Sequence, residues 1–315
     1  MERVGVVLMT YGSPKTLSDI PAYLKKVRGG RDPDEGLVAE FKRRYRLIGG
    51  SPLLRITRAQ AAALQKELNR SHPERRHRVV AGMRFAPPFV ADVVTEAAEG
   101  SDMVVGLVMS PQFSPIIMGG YLEAIRGAVS ALKGERPELR VAGEWHLEPH
   151  FVEALSKNLR RGLESFDRGV RDDVQVLMTA HSMPKRVIRK EDYYIEQLKD
   201  TAAAVASAAG LPKERWGFCY QSAGHTPEEW LRPDFADIMP ALAAAGRRHV
   251  LISPVQFLAD HLETLYDIDI AARKQAEDEG IEFRRVAALN DSPLFVKALA
   301  AVVEKTISEP PVLAA

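Results

Sequence analysis

The chain has a single cysteine, Cys219, and that scarcity rules out a good deal of chemistry. A disulfide framework needs paired cysteines, and an iron–sulfur cluster held by the chain's own thiolates needs several. A reducing compartment, the cytoplasm, is therefore expected. An excess of either charge is also missing, since 43 Lys and Arg face 42 Asp and Glu. Such a balance leaves no electrostatic footprint for a nucleic-acid partner, although Lys42 to Arg58, KRRYRLIGGSPLLRITR, is locally basic. Long apolar runs are lacking too. The run VGVVLMTYG after Arg3 stops at Ser-Pro, far short of the roughly 18 residues a spanning helix needs. Neither a signal peptide nor membrane insertion is expected. No GxGxxG, P-loop, HExxH or multi-cysteine motif occurs, which argues against a nucleotide cofactor and the common zinc enzymes.

What the sequence does contain is alternation. Short β-branched runs at 3–10, 77–83, 102–109, 139–145, 173–180, 214–220, 247–253 and 281–286 read as strands. Segments of helical period lie between or after them, at 55–70, 88–98, 119–133, 150–165, 192–209, 234–245, 260–278 and 292–307. This pattern predicts α/β architecture with right-handed βαβ units and parallel sheets. Continuous apolar runs such as VVLM and VVGLVM suit parallel strands buried on both faces.

The strand ends repeat. VLMTYGSP (Val7 to Pro14) returns as VLMTAHSMP (Val176 to Pro184), and VMSPQFSP (Val108 to Pro115) returns as ISPVQFLAD (Ile252 to Asp260). Two echoes in the same order predict two similar doubly wound, Rossmann-like domains whose sheets face a central cleft. The expected boundaries are 1–148 and 149–289, with the final helix, 290–308, packing back on the first domain. Ligands of open α/β sheets bind beyond the carboxyl ends of the strands. That rule places Tyr11, Ser13, Ser110, Gln112, His181, Ser182, Ser253 and Gln256 at the expected site.

His181 closes an apolar strand, where an imidazole can take a proton near neutral pH or ligate a metal; a structural hydrogen-bonding role is the alternative. In ADHLETLYDID (Ala259 to Asp269) the carboxylates of Glu263 and Asp267 are four residues apart and share a helix face. Asp260 and Glu263 could instead form a variant capping box, with Glu263 returning to the backbone. The Arg44 to Thr57 stretch offers either a tight turn or an anion-binding loop. The polar loop Tyr220 to Asp234 is long enough to suggest function. His146, His225 and His261 are expected to be solvated or structural.

In order along the chain, LMTYGSP, RYRLIGGSPL, SPQFS, TAHSMP, YQSAGHTPEEWLRPD and PVQFLADHLETLYDID resemble the ferrochelatases, which insert ferrous iron into a porphyrin. The resemblance covers almost the whole chain and implies a porphyrin clamped between two domains. It implies that His181 and Glu263 are the paired catalytic and metal-binding residues, with Asp267 an outer, weaker ligand. Tyr11 resembles the tyrosine of Gram-positive members that act on coproporphyrin III, set to meet the other face of the ring. Arg28, Arg31, Arg44 and Ser51 are the implied propionate contacts, and Gln112, Tyr121 and Ser182 further substrate contacts. Some relatives continue the acidic row where this chain has Ala271, and some carry a histidine where it has Phe85. The IGGSPL turn is a residue shorter than in some members, and Gly29 replaces one arginine of a basic segment.

The implied reaction takes Fe²⁺ as substrate, needs no iron–sulfur cluster or nucleotide, and is carried out by a monomer. Protoporphyrin IX ferrochelatase and cobalt chelatase are the alternatives within the class. Cobalt enzymes tend to use a second histidine at the metal site, and none is evident in the sequence. A non-catalytic porphyrin carrier is the alternative outside the class; such a carrier would have no use for a proton acceptor beside its ligand.

Overall fold

The computed structural model describes residues 1–188, 193–224 and 228–309, so His225 lies outside the described residues. The chain divides into two compact units: Met1–Trp145 with Asn290–Ala315, and His146–Leu289. In the first unit the strands are β1 (Glu2–Thr10), β2 (Arg75–Met83), β3 (Met103–Val108) and β4 (Glu138–Val141). In the second they are β5 (Gln175–His181), β6 (Trp216–Gln221), β7 (His249–Pro254) and β8 (Glu282–Arg285).

Both sheets are parallel, and their strand orders correspond: β2-β1-β3-β4 and β6-β5-β7-β8. The repeated strand-end motifs therefore occupy equivalent positions, after the first and third strands of each sheet. Those two strands are neighbours at the point where the winding reverses, the place at which open α/β sheets bind ligands. The central strands are buried on both faces, and Val4 and every residue from Val6 to Met9 is inaccessible, as their unbroken apolar runs require.

The helices of the first unit are α1 (Ile20–Val27), α2 (Glu35–Leu47), α3 (Leu53–Ser71), α4 (Val90–Ala98) and α5 (Pro115–Ser130). Those of the second are α6 (Pro149–Glu164), α7 (Tyr194–Ala208), α8 (Phe235–Ala244), α9 (Leu262–Leu265) and α10 (Arg273–Asp278). A π-helix, Asp267–Ala272, separates α9 from α10, and α11 (Pro293–Ser308) returns to the first unit. There Phe295, Leu299 and Val303 are fully buried, each stabilising that packing by roughly 1.5–3 kcal/mol. The Arg140 guanidinium donates to the Ile307 and Glu309 carbonyls at 2.5 and 3.0 Å, satisfying acceptors that a helix end leaves open.

Helices α1 and α2 were not expected from the sequence. Both end in paired glycines with positive φ, 65° and 90° at Gly29 and Gly30, 69° and 90° at Gly49 and Gly50. The second glycine of each pair donates back to a carbonyl of the last turn, Lys25 and Tyr45, at 2.8 Å, a C-cap conformation that side chains with Cβ rarely adopt. The Gly49-Gly50 turn is thus a helix stop. It sets Arg44 before the stop and Ser51 after it, as Gly29-Gly30 does for Arg28 and Arg31.

Candidate active site

The second unit gathers its reactive groups at the ends of β5 and β6 and at the start of α9. His181 is the last residue of β5, and its backbone N–H is taken not by a strand but by the Gln256 side chain, Oε1 at 2.8 Å. The Gln256 amide nitrogen in turn donates to the buried Tyr194 hydroxyl. The Gln of the Ser-Pro…Gln-Phe echo is therefore a clamp on the histidine. The imidazole Nδ1 lies against the Ser182 carbonyl. A carbonyl only accepts, so Nδ1 carries a hydrogen, and in the neutral ring it is Nε2 that presents the lone pair.

That lone pair faces Glu263, with Nε2 3.6 Å from Oε2 and about a third of each side chain exposed. The capping-box alternative is not what forms. His261 is the N-cap of α9, and its N–H donates to Thr264 Oγ1 at 3.0 Å, so Glu263 points its carboxylate away from the backbone. Burial pushes the Glu263 carboxyl up, but the imidazoles of His181 and His261 outweigh it and hold the group at about 2. Glu263 is therefore ionised across the neutral range.

His261, expected to be solvated or structural, does have a structural role as the N-cap of α9, and it also stands beside the Glu263 carboxylate. Its Nε2 lies 3.8 Å from the same Glu263 oxygen, and its Nδ1 donates to the Ala259 carbonyl at 2.9 Å. Burial lowers its proton affinity, while the close contact with Glu263, that carboxylate's charge, the Ala259 carbonyl and Asp267 raise it to a net increase. The sequence signal was the His-x-Glu spacing at a helix start. It also removes an argument used against a cobalt enzyme, because a second histidine does stand beside the carboxylate.

Asp267 opens the π-helix, where the Ala271 N–H reaches the Tyr266 carbonyl at 2.9 Å, a distortion often found at functional sites. Ser222 Oγ donates to Asp267 Oδ2 at 2.5 Å from a residue with φ of 59°, a strained conformation for a residue other than glycine. Gln221 joins the parts: its Oε1 accepts from Thr179 Oγ1 at 2.7 Å, and its Nε2 donates to the Glu263 carbonyl at 3.1 Å. Thr179 of the Thr-x-x-Ser signature thus ties β5 to β6 and α9.

In the first unit Tyr11 follows β1, 43% exposed, with its ring 4.5 Å from that of Phe85 and edge-on to Tyr23 at 6.5 Å. Neither Arg28 nor Arg31 has a carboxylate partner among the described residues; Arg31 Nε donates to the Arg28 carbonyl at 3.2 Å, and Arg28 Nε is buried without a partner. Arg44, by contrast, is already paired, its Nε 2.8 Å from Glu40. Hydrogen bonds from Arg43 and then Arg44 hold that carboxyl at about 2. Ser51 Oγ accepts from the Leu53 N–H at 3.3 Å.

Three expected substrate contacts are inaccessible in this structure. Gln112 is fully buried, and Ser182, also fully buried, donates to the Leu231 carbonyl at 2.9 Å. Tyr121 belongs to the core cluster with Met9, Met118 and Ile125. The Arg84 guanidinium covers its ring at 5.3 Å and also lies over Phe85 at 4.8 Å. These side chains are occupied by packing, which strand-end position alone could not reveal, and Arg84 was missed because a cation beside two aromatic rings has no sequence period.

Comparison with known proteins agrees with this architecture. The family model described as Ferrochelatase matches residues 3–307. A Deinococcus radiodurans protein named Ferrochelatase is 38% identical over 97% of this chain and 96% of its own. The Coproporphyrin III ferrochelatase of Geobacillus thermodenitrificans is 36% identical over 98% of this chain and 97% of its own. Among solved structures, CbiX, the terminal enzyme for biosynthesis of sirohaem in denitrifying bacteria, aligns with a TM-score of 0.57 at 15% identity. It covers 96% of this chain and 100% of that one. SirB from Bacillus subtilis with Fe³⁺ aligns with a TM-score of 0.57 at 10% identity, covering 98% and 96%. At these identities the structures attest the fold alone.

Proposed function

The chain belongs to the ferrochelatase family, and from that premise we propose that the porphyrin it metalates is coproporphyrin III, with His181 and Glu263 as its catalytic pair. Insertion of ferrous iron into a porphyrin in haem synthesis is the activity of the family. The reaction exchanges one Fe²⁺ for the two pyrrole N–H protons of the free ring. Something must receive those protons while the iron enters.

The arrangement of His181 is suited to that exchange. Its Nδ1 hydrogen is held by the Ser182 carbonyl, so Nε2 is the atom that can accept a pyrrole proton or carry iron to the ring. Nε2 and Glu263 Oε2 are both electron-rich and stand 3.6 Å apart, so a proton or cation at this gap is stabilised by both. Glu263 supports the imidazolium formed on His181, and His261 stands beside the same carboxylate oxygen. Asp267 extends the negative potential by which a divalent ion is drawn in.

The single observation that supports the choice of porphyrin is charge. Arg28 and Arg31 are without carboxylate partners among the described residues, and coproporphyrin III carries more propionates than protoporphyrin IX. Tyr11, exposed beside Phe85, is proposed as a ring contact. Arg44 and Ser51 complete the proposed propionate set, Arg44 by exchanging Glu40 for a propionate. A cytoplasmic monomer belongs to the same reading, since ferrous iron persists best in a reducing compartment.

Initial rates with Fe²⁺ under anaerobic conditions, on coproporphyrin III and protoporphyrin IX in parallel, test the choice. Coproporphyrin III is expected to be preferred in kcat/KM, with the preference shrinking in Arg28→Ala and Arg31→Ala. Equal or faster turnover of protoporphyrin IX would overturn the substrate assignment and leave the family intact. Since His261 supplies a second histidine, Co²⁺ belongs in the same assay; faster insertion of Co²⁺ than of Fe²⁺ would favour the cobalt alternative.

A further inference from the structure

We infer that Arg285 is a positioning residue for the metal-handling segment, tying together the two ends of the stretch that carries His261, Glu263 and Asp267. The inference rests on that stretch being the iron-inserting site. Arg285 is the last residue of β8, and only 11% of its side chain is exposed. Its Nε and Nη2 reach the two carboxylate oxygens of Asp269 at 2.8 Å each. Nη2 also lies 3.1 Å from Asp260 Oδ1. Asp260 directly precedes His261, and Asp269 comes two residues after Asp267, inside the π-helix. One planar cation therefore closes a ring around the functional segment.

The physical need for such a brace is clear from what the segment contains. Asp260, Glu263, Asp267 and Asp269 lie within ten residues, and like charges so close repel one another. Arg285 neutralises two of them, Asp260 and Asp269, and among the described residues its ion-pair partners do not include Glu263. Burial lowers the proton affinity of the guanidinium, but its bonds and charge interactions with Asp269 and Asp260 raise it, so the brace remains charged.

The π-helix also lacks the regular bonding of an α-helix and must be held by its surroundings. Arg273 contributes to this from the helix side. Its Nε donates to the Asp269 carbonyl at 3.0 Å and its Nη1 to the Phe283 carbonyl of β8 at 3.2 Å. Lysine could not replace Arg285, because a single ammonium cannot make the forked contact to Asp269 and reach Asp260 together.

The test is steady-state metalation by Arg285→Gln, Arg285→Lys and Asp269→Asn, with porphyrin affinity measured separately by fluorescence quenching and folding by thermal melting. A positioning role predicts at least a tenfold rise in KM for Fe²⁺ in Arg285→Gln, with porphyrin Kd within twofold of wild type. Arg285→Lys is expected to recover little of this, and Asp269→Asn to shift KM in the same direction by less. If Arg285→Gln does not fold, Asp269→Asn and Asp260→Asn decide by the same split. KM for Fe²⁺ within twofold of wild type in the folded variants overturns the inference, as does porphyrin affinity falling in step with it. Wild-type protein that metalates no porphyrin would instead remove the functional reading on which the brace depends.

Discussion

Replacing Glu263 by Gln keeps the shape of the side chain and deletes its charge, which isolates what the carboxylate contributes. Its Oε2 stands 3.6 Å from His181 Nε2 and 3.8 Å from His261 Nε2. Two unit charges at that separation interact by roughly 4–5 kcal/mol at an effective dielectric of about 20. About a third of both the His181 and Glu263 side chains is open to solvent, and allowing for that screening leaves about 2 kcal/mol. A proton or iron cation at His181 should lose that much support, which is roughly a thirtyfold fall in kcat/KM for Fe²⁺. The glutamate is ionised down to about pH 2, so its charge is present throughout the neutral range and its own titration does not enter the comparison. Anaerobic metalation followed by absorbance measures it, with Glu263→Asp as the variant that restores charge. Activity of the Gln variant within threefold of wild type would refute the reasoning, as would Asp performing no better than Gln.

Other expectations concern the scaffold. His77 is buried and its imidazole is held at about 4 by burial, then by His72 and Arg75. Because the unfolded chain takes that proton first, stability should be full above about pH 6.5 and decline by roughly 3 kcal/mol as pH falls toward 4. The neighbouring Glu304, raised chiefly by burial, acts in the opposite sense between 4.5 and its own folded value. Chemical denaturation from pH 7 to 4, with and without His77→Asn, checks this; an identical pH slope in the variant would contradict it. In a third case, Gly5→Ala would place a Cβ 2.0 Å from the Ala97 carbonyl oxygen, where the backbone of α4 must move. We expect a loss of about 3 kcal/mol, seen as a drop of roughly 6–12 °C in Tm, and a shift below 2 °C would show that α4 can retreat freely.

The parts of the fold that were legible in the sequence are those governed by period and burial. The eight strands of the two sheets could be read because central parallel strands must be apolar on both faces. The paired motifs anticipated a correspondence now visible as the same strand order twice. Helices α1 and α2 escaped because double-glycine stops look like loops until their carbonyl partners are known. At the site, His181 and Glu263 could be singled out by spacing and resemblance, and the structure brings them together. His261 was passed over because a histidine at a helix cap is unremarkable until its second nitrogen is seen to face the same carboxylate. Gln112, Tyr121 and Ser182 went the other way, since position at a strand end says nothing about whether neighbours have already filled the space. Arg285 acts through contacts made from a distant strand, which no local pattern encodes, whereas Gln256 was marked by the strand-end echo and only its role as a clamp on His181 was not.

The measurement that bears most directly on the whole account is anaerobic Fe²⁺ insertion into coproporphyrin III by wild type and His181→Ala, alongside porphyrin binding for both. Removing the proposed proton acceptor should lower kcat by 10²-fold or more, the scale of general acid–base catalysis, while porphyrin affinity changes little. A His181→Ala protein that metalates within a few-fold of wild type would contradict the central claim. So would a wild-type protein that binds the porphyrin tightly and never takes its protons.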